Sequence, residues 1–513
     1  MNFYFDAAKI IDRLDAKHGS VKSLLSTLPE KSRKRTAALV IETLKYKPAL
    51  AEVIAAANLL KQERKITSHS LALLLVHDLL LSGGIQAGDG PVKQALLRHK
   101  TRLRSEWQRV KIKRGAKTDG ELALADDDRT ARIPRYARVN ALKWTIDEAI
   151  KAIQRRGYVL GDPLDGMCVP PVVHQFTEMI PQFISRPLRN FTRDAHVENL
   201  LLFPPQARLT DTSEYFDGRL ILQDKASCFP AVVLDPPSYP GSVIIDATAA
   251  PGNKTSHLSA LMGNQGKILA FERDRKRYGT LKTMLARAGC SNVEALNVDF
   301  LTTDFDDEKY AHVTHILLDP SCSGSGIINR LDHLVESETE SSSVAHTERL
   351  TKLATFQLQM LRHAMKFPRV ENIVYSTCSI HPEENEQVVA ATLRSMEATA
   401  GGFRLAPRSV VLPEWSRRGQ PGILDDTDTE AVVRCSPGED LTNGFFVSCF
   451  IRRCGARPSM REAEATIVER NDATDSPSFT MSAKRKIHGE DGAGSTVLPP
   501  PSSQRRKKRK QKI

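Results

Sequence analysis

Two cysteines stand in short motifs that each follow an apolar run, Cys322 in DPSCSGSG (319–326) and Cys378 in YSTCS (375–379). Such runs are typical of buried parallel strands, whose carboxyl ends share one edge of a sheet. A lone cysteine is more often an inert core residue. Two cysteines on one rim, one of them near Asp319 and a glycine-rich turn, indicate a nucleophilic site instead. Carbon 5 of cytosine is a poor nucleophile, and a thiolate that adds at carbon 6 activates it, so the pair fits cytosine-5 methylation.

A loop of small residues, DATAAPGNKT (246–255), follows an earlier predicted strand that ends at Ile245, and a helix is predicted from Ser256. At the carboxyl edge of an open α/β sheet, such a loop lets the backbone approach a cofactor closely. The loop contains no GxGxxG motif, and Asn253 and Thr248 occupy the places where a P-loop needs glycine. The sequence therefore disfavours a bound triphosphate or dinucleotide.

Two carboxylates are predicted near the ends of the next two strands. Glu272 ends the second strand, where an acidic residue accepts hydrogen bonds from both ribose hydroxyls, and Arg277 follows on the next helix. Asp299 lies near the end of the third strand, where it can accept from an adenine amino group. Each carboxylate alone would more often be a surface charge or a helix cap. Together with the loop they predict an adenosine site without phosphate recognition, which S-adenosylmethionine fits.

The spacing of apolar residues divides the chain into segments. Up to about residue 112 the spacing is helical, as in the stripe formed by Leu50, Val53, Ile54, Ala57 and Leu60. From about 219 apolar runs alternate with helical segments, which is typical of a doubly wound sheet. We predict a helical N-terminal domain (1–112), a linker (113–133), a small α+β RNA-binding module (134–218), an α/β catalytic domain (219–454) and a disordered basic tail (455–513).

The small module begins with a short alternating strand, RYARVN (135–140), that carries two arginines and a tyrosine. Basic and aromatic side chains on a small sheet can stack bases and neutralise phosphates, which suits single-stranded RNA. A solvated edge strand is about as consistent with the pattern. Thr145 and Glu148 have capping-box spacing, and Gly157 stands where the following helix is expected to end.

Composition limits the class of protein. The chain has 513 residues, 41% of them hydrophobic and 26% charged, which excludes collagen-like, mucin-like and wholly disordered proteins. The eight cysteines show neither CxxC nor histidine-paired spacing, so we expect no structural metal site. The longest apolar run (71–81) is too short for a bilayer, and the first residues lack the features of a secretion signal. Residues 505–512 carry seven of the positive charges that make the net charge +12.

Five motifs in one order carry a resemblance to a known family: QDKASC (223–228), DATAAPGNKT, DPSCSGSG, YSTCSIHPEENE (375–386) and NGFFV (443–447). The chain resembles the Sun/Fmu family of RNA cytosine-5 methyltransferases. Its N-terminal helices and PRYARVN (134–140) are most similar to the subfamily that acts on large-subunit ribosomal RNA in the nucleolus. The resemblance covers nearly residues 1–453 and implies a Rossmann-like domain with a mostly parallel sheet of about seven strands.

The resemblance also implies roles for single residues. Cys378 is expected to be the nucleophile, and Cys322 to assist release of the methylated base. Asp319 is expected to hydrogen-bond the cytosine ring and to lie beside the cofactor. Lys254 is expected to favour a thiolate nearby. The residues expected to hold S-adenosylmethionine are Thr248, Ala249, Ala250, Pro251, Gly252, Asn253, Lys254, Glu272, Arg277, Asp299 and Asp319.

Two residues depart from the family pattern. Thr248 stands where the family usually has cysteine, and Glu272 where it usually has aspartate. Both changes are chemically mild, because threonine is small and glutamate keeps the carboxylate. They bear on cofactor affinity more than on the reaction, so we expect an active enzyme.

Several alternatives stay open at the level of sequence. DNA cytosine methylation is disfavoured, because that class is expected to lack the cysteine of the TCS motif. A transfer-RNA substrate and a ribosome-assembly factor with incidental methylation both remain. The expected partner is RNA in a pre-ribosomal particle, with no metal and no membrane, and the expected location is the nucleus and nucleolus. The basic block at 505–512 fits a nuclear or nucleolar address, a phosphate-binding tail or a solubilising end.

Overall fold

The computed structural model describes residues 2–16, 18–19, 21–124, 128–161, 189–328 and 344–452. The predicted tail at 455–513 lies outside these residues. Among the helices of the described residues, none is long and apolar enough to cross a membrane.

The N-terminal part of the chain is a helical bundle with a core of its own. Leu50, Val53, Ile54 and Ala57 of the predicted stripe are buried in that core, whereas Leu60 is 37% exposed. The stripe is broken there because the helix ends at Ala56 and Asn58 adopts a left-handed conformation. The helices of the bundle are α1 (Asn2–Asp15), α2 (Val21–Ser26), α3 (Glu30–Lys45), α4 (Lys47–Ala56), α5 (Leu59–Gln62), α6 (His69–Leu81), α7 (Pro91–Arg98) and α8 (Lys100–Lys113). A short helix α9 (Asp128–Arg132) comes directly before the small sheet.

In the described part of the next segment, five strands form a small sheet in the order β2-β3-β4-β1-β5. Its elements are β1 (Arg135–Val139), α10 (Ile146–Arg155), β2 (Val159–Leu160), β3 (Asn190–Arg193), β4 (Leu200–Phe203), α11 (Ser213–Phe216) and β5 (Leu220–Leu222). The capping box of Thr145 and Glu148 is present at the start of α10, and Gly157 has a positive φ of 85° after its end. Both predictions of local structure are confirmed.

Both faces of this sheet are buried, since its side chains alternate between two cores. Tyr136, Leu200 and Leu202 pack into a cluster with Phe229 of the catalytic domain. Ala137, Val139, Leu201 and Phe203 face the other way, toward α10. The sheet is therefore an internal layer of the molecule.

The prediction that the 135–140 strand contacts RNA is wrong for its central residues. Tyr136 is 4% exposed, Arg138 1% and Asn140 0%, because β1 is paired on both sides and covered on both faces. The alternative of a solvated edge strand is wrong for the same reason. Arg135, at the start of the strand, is the exposed basic residue.

The catalytic domain is built on a second sheet, in which the described residues form eight strands: seven in the order β11-β13-β10-β9-β6-β7-β8, and β12 paired with β13. The five strands from β10 to β8 are parallel, as predicted, and β13 is antiparallel to its neighbours. The strands are β6 (Val243–Asp246), β7 (Lys267–Phe271), β8 (Val293–Leu296), β9 (Val313–Leu318), β10 (Asn372–Thr377), β11 (Phe403–Leu405), β12 (Val433–Cys435) and β13 (Phe445–Arg452).

Helices cover both faces of this sheet. They are α12 (Lys225–Leu234), α13 (Asn253–Leu261), α14 (Arg275–Ala288), α15 (Val344–Met365), α16 (Glu386–Leu393), α17 (Met396–Gly401) and α18 (Asp426–Ala431). The chain order reverses between β6 and β9, and a ligand crevice is expected at such a switch point. The predicted boundaries at 112, 133, 218 and 454 stay predictions. Leu122 packs in the helical core, and β5 lies just beyond 218.

Candidate active site

A cavity of about 660 Å³ opens at the carboxyl ends of β6, β7, β9 and β10. Ala249 and Gly252 belong to the small-residue loop but do not line the cavity. Ala249 packs in a buried apolar cluster, and Gly252 has a φ of 113°. The predicted site residues that line the cavity are Thr248, Ala250, Pro251, Asn253, Lys254, Glu272, Arg277, Asp299, Asp319, Cys322 and Cys378.

The two cysteines meet in this cavity. The sulfur atoms of Cys322 and Cys378 are 3.1 Å apart, although 56 residues separate them in the chain. The hydrogen bond with Cys378 and burial raise the pKa of the Cys322 thiol well above its usual range. Cys322 is therefore held as a thiol at neutral pH, next to a second sulfur.

Backbone contacts fix the loop that carries Cys322. The amide of Gly326 donates to the carbonyl of Cys378 at 2.9 Å, and the amide of Gly444 donates to the carbonyl of Gly326 at 2.7 Å. A Cβ atom at position 326 would lie 2.2 Å from the carbonyl oxygen of Gly444. Glycine is needed here because three backbone segments meet.

Asp319 is held from three directions at the end of β9. Its Oδ2 accepts from Lys254 Nζ at 2.7 Å, its Oδ1 accepts from Ser376 Oγ at 2.9 Å, and its amide donates to Thr248 Oγ1 at 2.9 Å. Burial opposes the charge of Lys254, but Asp319 more than offsets this and raises the pKa of the ammonium group. Lys254 also donates to Ser227 Oγ at 3.1 Å, so the cation has a fixed place beside the cysteines.

The other end of the cavity holds the predicted ribose and adenine carboxylates. Glu272 is 5% exposed; its Oε1 accepts from the amide of Asp274, and its Oε2 lies 3.3 Å from Arg277 Nη1. Arg277 also donates to the carbonyl of Ala250 at 2.6 Å, which ties it to the small-residue loop. Asp299 lies beyond the end of β8 and caps a short 3-10 helix, where Arg273 approaches it at 3.4 Å.

Two local predictions about these elements need correction. The helix after the small-residue loop starts at Asn253 and not at Ser256, because Gly252 takes the left-handed conformation that ends the loop early. The third strand ends at Leu296, three residues before Asp299. Asp299 still lines the cavity, because the connection after β8 turns back over it.

Further side chains line the cavity without having been singled out from sequence. Asp224 accepts from Asn443 Nδ2 at 2.8 Å, and Phe445 places its ring 5.2 Å from Lys254 Nζ. Ser227, which also lines the cavity, contacts Lys254, and Ser376, which is not among the lining residues, supports Asp319. All five lie in the QDKASC, YSTCS and NGFFV motifs, so the motifs marked their segments without distinguishing their roles. Within the described parts of the chain, no group of three or more His, Cys, Asp or Glu side chains could hold a metal ion.

A doubly wound sheet with an adenosine-type loop and a cavity at its switch point defines the class of Rossmann-like methyltransferases. Three family models match the chain in succession. Residues 34–123 match the N-terminal domain of NOL1/NOP2/Sun domain family member 5, residues 133–223 match the ferredoxin-like domain of the same protein, and residues 231–451 match the 16S rRNA methyltransferase RsmB/F model.

Relatives match over almost the whole chain. The 25S rRNA (cytosine-C(5))-methyltransferase rcm1 of Schizosaccharomyces pombe is 42% identical over 87% of this chain and 91% of its own length. The 28S rRNA (cytosine-C(5))-methyltransferase of Mus musculus is 39% identical over 97% of this chain and 100% of its own length. The chain belongs to the Sun/Fmu family of RNA cytosine-5 methyltransferases, within the group of NOL1/NOP2/Sun domain family member 5.

A solved structure supports the fold. The crystal structure of PH0851 is 20% identical, with a TM-score of 0.54 over 84% of this chain and 93% of that one. At this identity the likeness extends to the fold alone.

Proposed function

We propose that this protein transfers a methyl group from S-adenosylmethionine to carbon 5 of a cytosine in large-subunit ribosomal RNA. The observation that carries the proposal is the 3.1 Å contact between Cys322 and Cys378 in the cavity that also contains the small-residue loop. The names of the relatives, which are large-subunit rRNA enzymes in a fungus and a mammal, favour this RNA over transfer RNA.

The residues present fit S-adenosylmethionine. Glu272 is a buried carboxylate with acceptor capacity for ribose hydroxyls, and the alanines of the loop leave space for close approach of the backbone. One end of the cavity is apolar enough for an adenine ring, being lined by Phe271, Val298, Phe300, Phe356 and Met360. When bound there, the cofactor supplies an electrophilic methyl group.

Cys378 is the proposed nucleophile. A cytosine leaves its stack and enters the cavity, and Cys378 Sγ forms a bond to its carbon 6. The Lys254 ammonium favours the thiolate form of a neighbouring cysteine. Asp319, fixed by Lys254 and Ser376, accepts a hydrogen bond from the exocyclic amino group of the cytosine and orients the ring for attack by Cys378.

Cys322 is the proposed release group. Its thiol donates a proton to Cys378 Sγ as the bond from that sulfur to carbon 6 breaks, and the electron pair of the bond returns to Cys378. The resulting Cys322 thiolate takes the proton from carbon 5, whose electron pair restores the ring double bond. The raised pKa of the Cys322 thiol supports this role, because the group starts as a proton donor.

The natural partner is proposed to be ribosomal RNA within a pre-ribosomal particle, in the nucleus and nucleolus. Ribosomal RNA is made and assembled there, and the basic block at 505–512 suits both a targeting signal and a phosphate contact.

The two cysteines give different expected phenotypes. Cys378→Ala should abolish methylation of large-subunit ribosomal RNA, since no adduct can form. Cys322→Ala should accumulate a covalent protein–RNA adduct, since release fails. Bisulfite sequencing of ribosomal RNA and denaturing gels measure the two outcomes.

Cys290→Ala is the matched control, because Cys290 is a half-buried free thiol that does not line the cavity. It should behave as the unmodified protein in both assays. Full methylation by Cys378→Ala would overturn the proposed function.

A further inference from the structure

Two buried side chains from other elements form hydrogen bonds to the backbone of the loop that carries Cys322, one on each side of the cysteine. Gln357 Nε2, from the middle of α15, donates to the carbonyl of Ser321 at 3.1 Å. Glu384 Oε1, from the segment after β10, accepts from the amide of Ser323 at 2.9 Å. The backbone groups immediately before and after Cys322 are thus each bonded to a side chain.

Gln357 and Glu384 also form a hydrogen bond with each other. Gln357 Nε2 donates to Glu384 Oε1 at 3.0 Å, and both residues are fully buried. The Tyr375 hydroxyl, also buried, donates its proton to the Glu384 carbonyl at 2.5 Å and lies 3.1 Å from Gln357 Oε1, so it contacts both members of the pair. The set forms a closed network with Cys322 at its centre.

Packing alone does not account for this network. Among the described residues, the second carboxylate oxygen of Glu384 is buried without a hydrogen-bond partner. Burying an unpaired polar atom is destabilising, so an apolar residue would serve a merely structural purpose better. The buried glutamate is explained if its Oε1 atom is needed to accept the hydrogen bond from the Ser323 amide.

We infer that Gln357 and Glu384 are positioning residues that hold the Cys322 thiol against Cys378 for release of the methylated base. The inference rests on the proposed function, in which Cys322 is the release group. The loop is also held by the Gly326 contacts, by Ser323 Oγ, which donates to Ser379 Oγ at 3.2 Å, and by Ser325 Oγ, which accepts from the amide of Ile380 at 3.1 Å. None of these bonds fixes the backbone groups of Ser321 and Ser323 on either side of the thiol. Without Gln357 and Glu384, the thiol can drift from Cys378, and a displacement of about 1 Å can slow a reaction about 100-fold.

The test measures the two half-reactions separately on the full chain with unmethylated large-subunit ribosomal RNA. Methyl transfer is followed in a single turnover, and release is followed as decay of the covalent adduct on denaturing gels. Gln357→Met and Glu384→Ala should slow release about 10-fold to 100-fold and leave the rate of methyl transfer within about 3-fold. A residue that only supports folding would lower both rates together.

Two further variants sharpen the result. Glu384→Gln keeps an acceptor oxygen for Ser323 and Gln357 and should release product at nearly the normal rate. Glu397→Gln is the matched control. Glu397 is also a buried glutamate, and it hydrogen-bonds Arg362, which lies on α15 as Gln357 does, but Glu397 does not line the cavity. It should change neither rate.

The outcomes separate the inference from the proposed function. If Cys322→Ala itself releases product normally, the proposed role of Cys322 fails. If Cys322→Ala accumulates the adduct but folded Gln357→Met releases product at the normal rate, the positioning role is overturned alone. Slow release by Glu384→Gln would also overturn it, because the hydrogen bonds are then kept.

Discussion

Lys254 connects the two halves of the cavity at the scale of a single residue. It belongs to the small-residue loop by sequence, but its ammonium group lies between Asp319 and Ser227, on the side of the cysteines. The raised pKa of Lys254 keeps it charged throughout the neutral range. Any step that depends on a thiolate in this cavity should therefore depend on Lys254.

Replacing Lys254 with methionine should move the pH profile of adduct formation to higher pH. A nearby cation stabilises a thiolate, so without it a higher pH is needed for the same thiolate fraction. Each unit of displacement should lower the rate at neutral pH roughly 10-fold. Adduct formation by Lys254→Met, measured from about pH 6 to pH 9 in the Cys322→Ala background, checks this.

Lys276→Met is a suitable control, since Lys276 is an exposed lysine on α14 that does not line the cavity. An unchanged pH profile in Lys254→Met would contradict the assigned role of the cation.

Sequence reasoning at this scale found residues whose chemistry is rare and missed residues whose role is contact. Cys322 and Cys378 could be paired in advance because each followed a strand of the same parallel sheet. Gln357 could not be identified from the sequence, because it lies in the middle of a 22-residue helix, where a polar residue is ordinary. Its bond to Ser321 exists only because α15 packs across the end of β9.

Gly326 matters at the scale of elements, where the loop after β9, the end of β10 and the start of β13 converge. Gly326→Ala should push the Cys322 loop away from Cys378, because the added Cβ would meet backbone atoms that cannot move cheaply. Overpacking of this kind costs about 1–3 kcal/mol of stability. We expect loss of release activity together with a lower melting temperature, measured by calorimetry and adduct decay.

Gly279→Ala provides the opposite expectation. A Cβ there meets nothing within 4 Å, and Gly279 lies inside helix α14. Alanine should stabilise that helix by about 0.5–1 kcal/mol without affecting either half-reaction. A Gly326→Ala protein as stable and active as Gly279→Ala would contradict the close-packing argument.

The elements themselves were predictable where a single pattern determined them. The parallel strands β6, β7, β9 and β10 could be recognised because they are largely buried and so read as apolar runs, whereas the half-buried strand β8 carries a glutamate and gives no such run. Positions set by one unusual backbone angle could not be placed. Asn58 turns the chain so that Leu60 leaves the core, and Gly252 starts α13 three residues early.

Arg138 joins the small sheet to the catalytic domain at the scale of the whole molecule. Its side chain donates to Gln223 Oε1 at 2.9 Å, to Ser256 Oγ at 2.9 Å and to the carbonyl of Asn253 at 3.2 Å. Burial lowers the pKa of the guanidinium to about 10. The sequence showed only a basic strand and suggested RNA, because nothing local indicates that both faces of the sheet are covered.

Arg138→Met should raise the KM for S-adenosylmethionine several-fold. Asn253, the first residue of α13, lines the cavity and would lose its hydrogen bond from the small sheet. Stability should change little, since removing a buried charge offsets the lost hydrogen bonds. Steady-state kinetics and calorimetry measure the two effects. Arg135→Met, at the exposed start of the same strand, should leave this KM unchanged, and an equal rise in both variants would contradict the role of Arg138.

The core that the small sheet shares with the catalytic domain decides how far the enzyme can be shortened. A fragment cut at residue 219 would lose Tyr136, Leu200 and Leu202 from the cluster that also contains Phe229 and Ile244. Those apolar surfaces would face water, and the fragment would be expected to aggregate on expression. A minimal enzyme prepared for crystallisation should therefore begin no later than Ile133, which belongs to the same cluster.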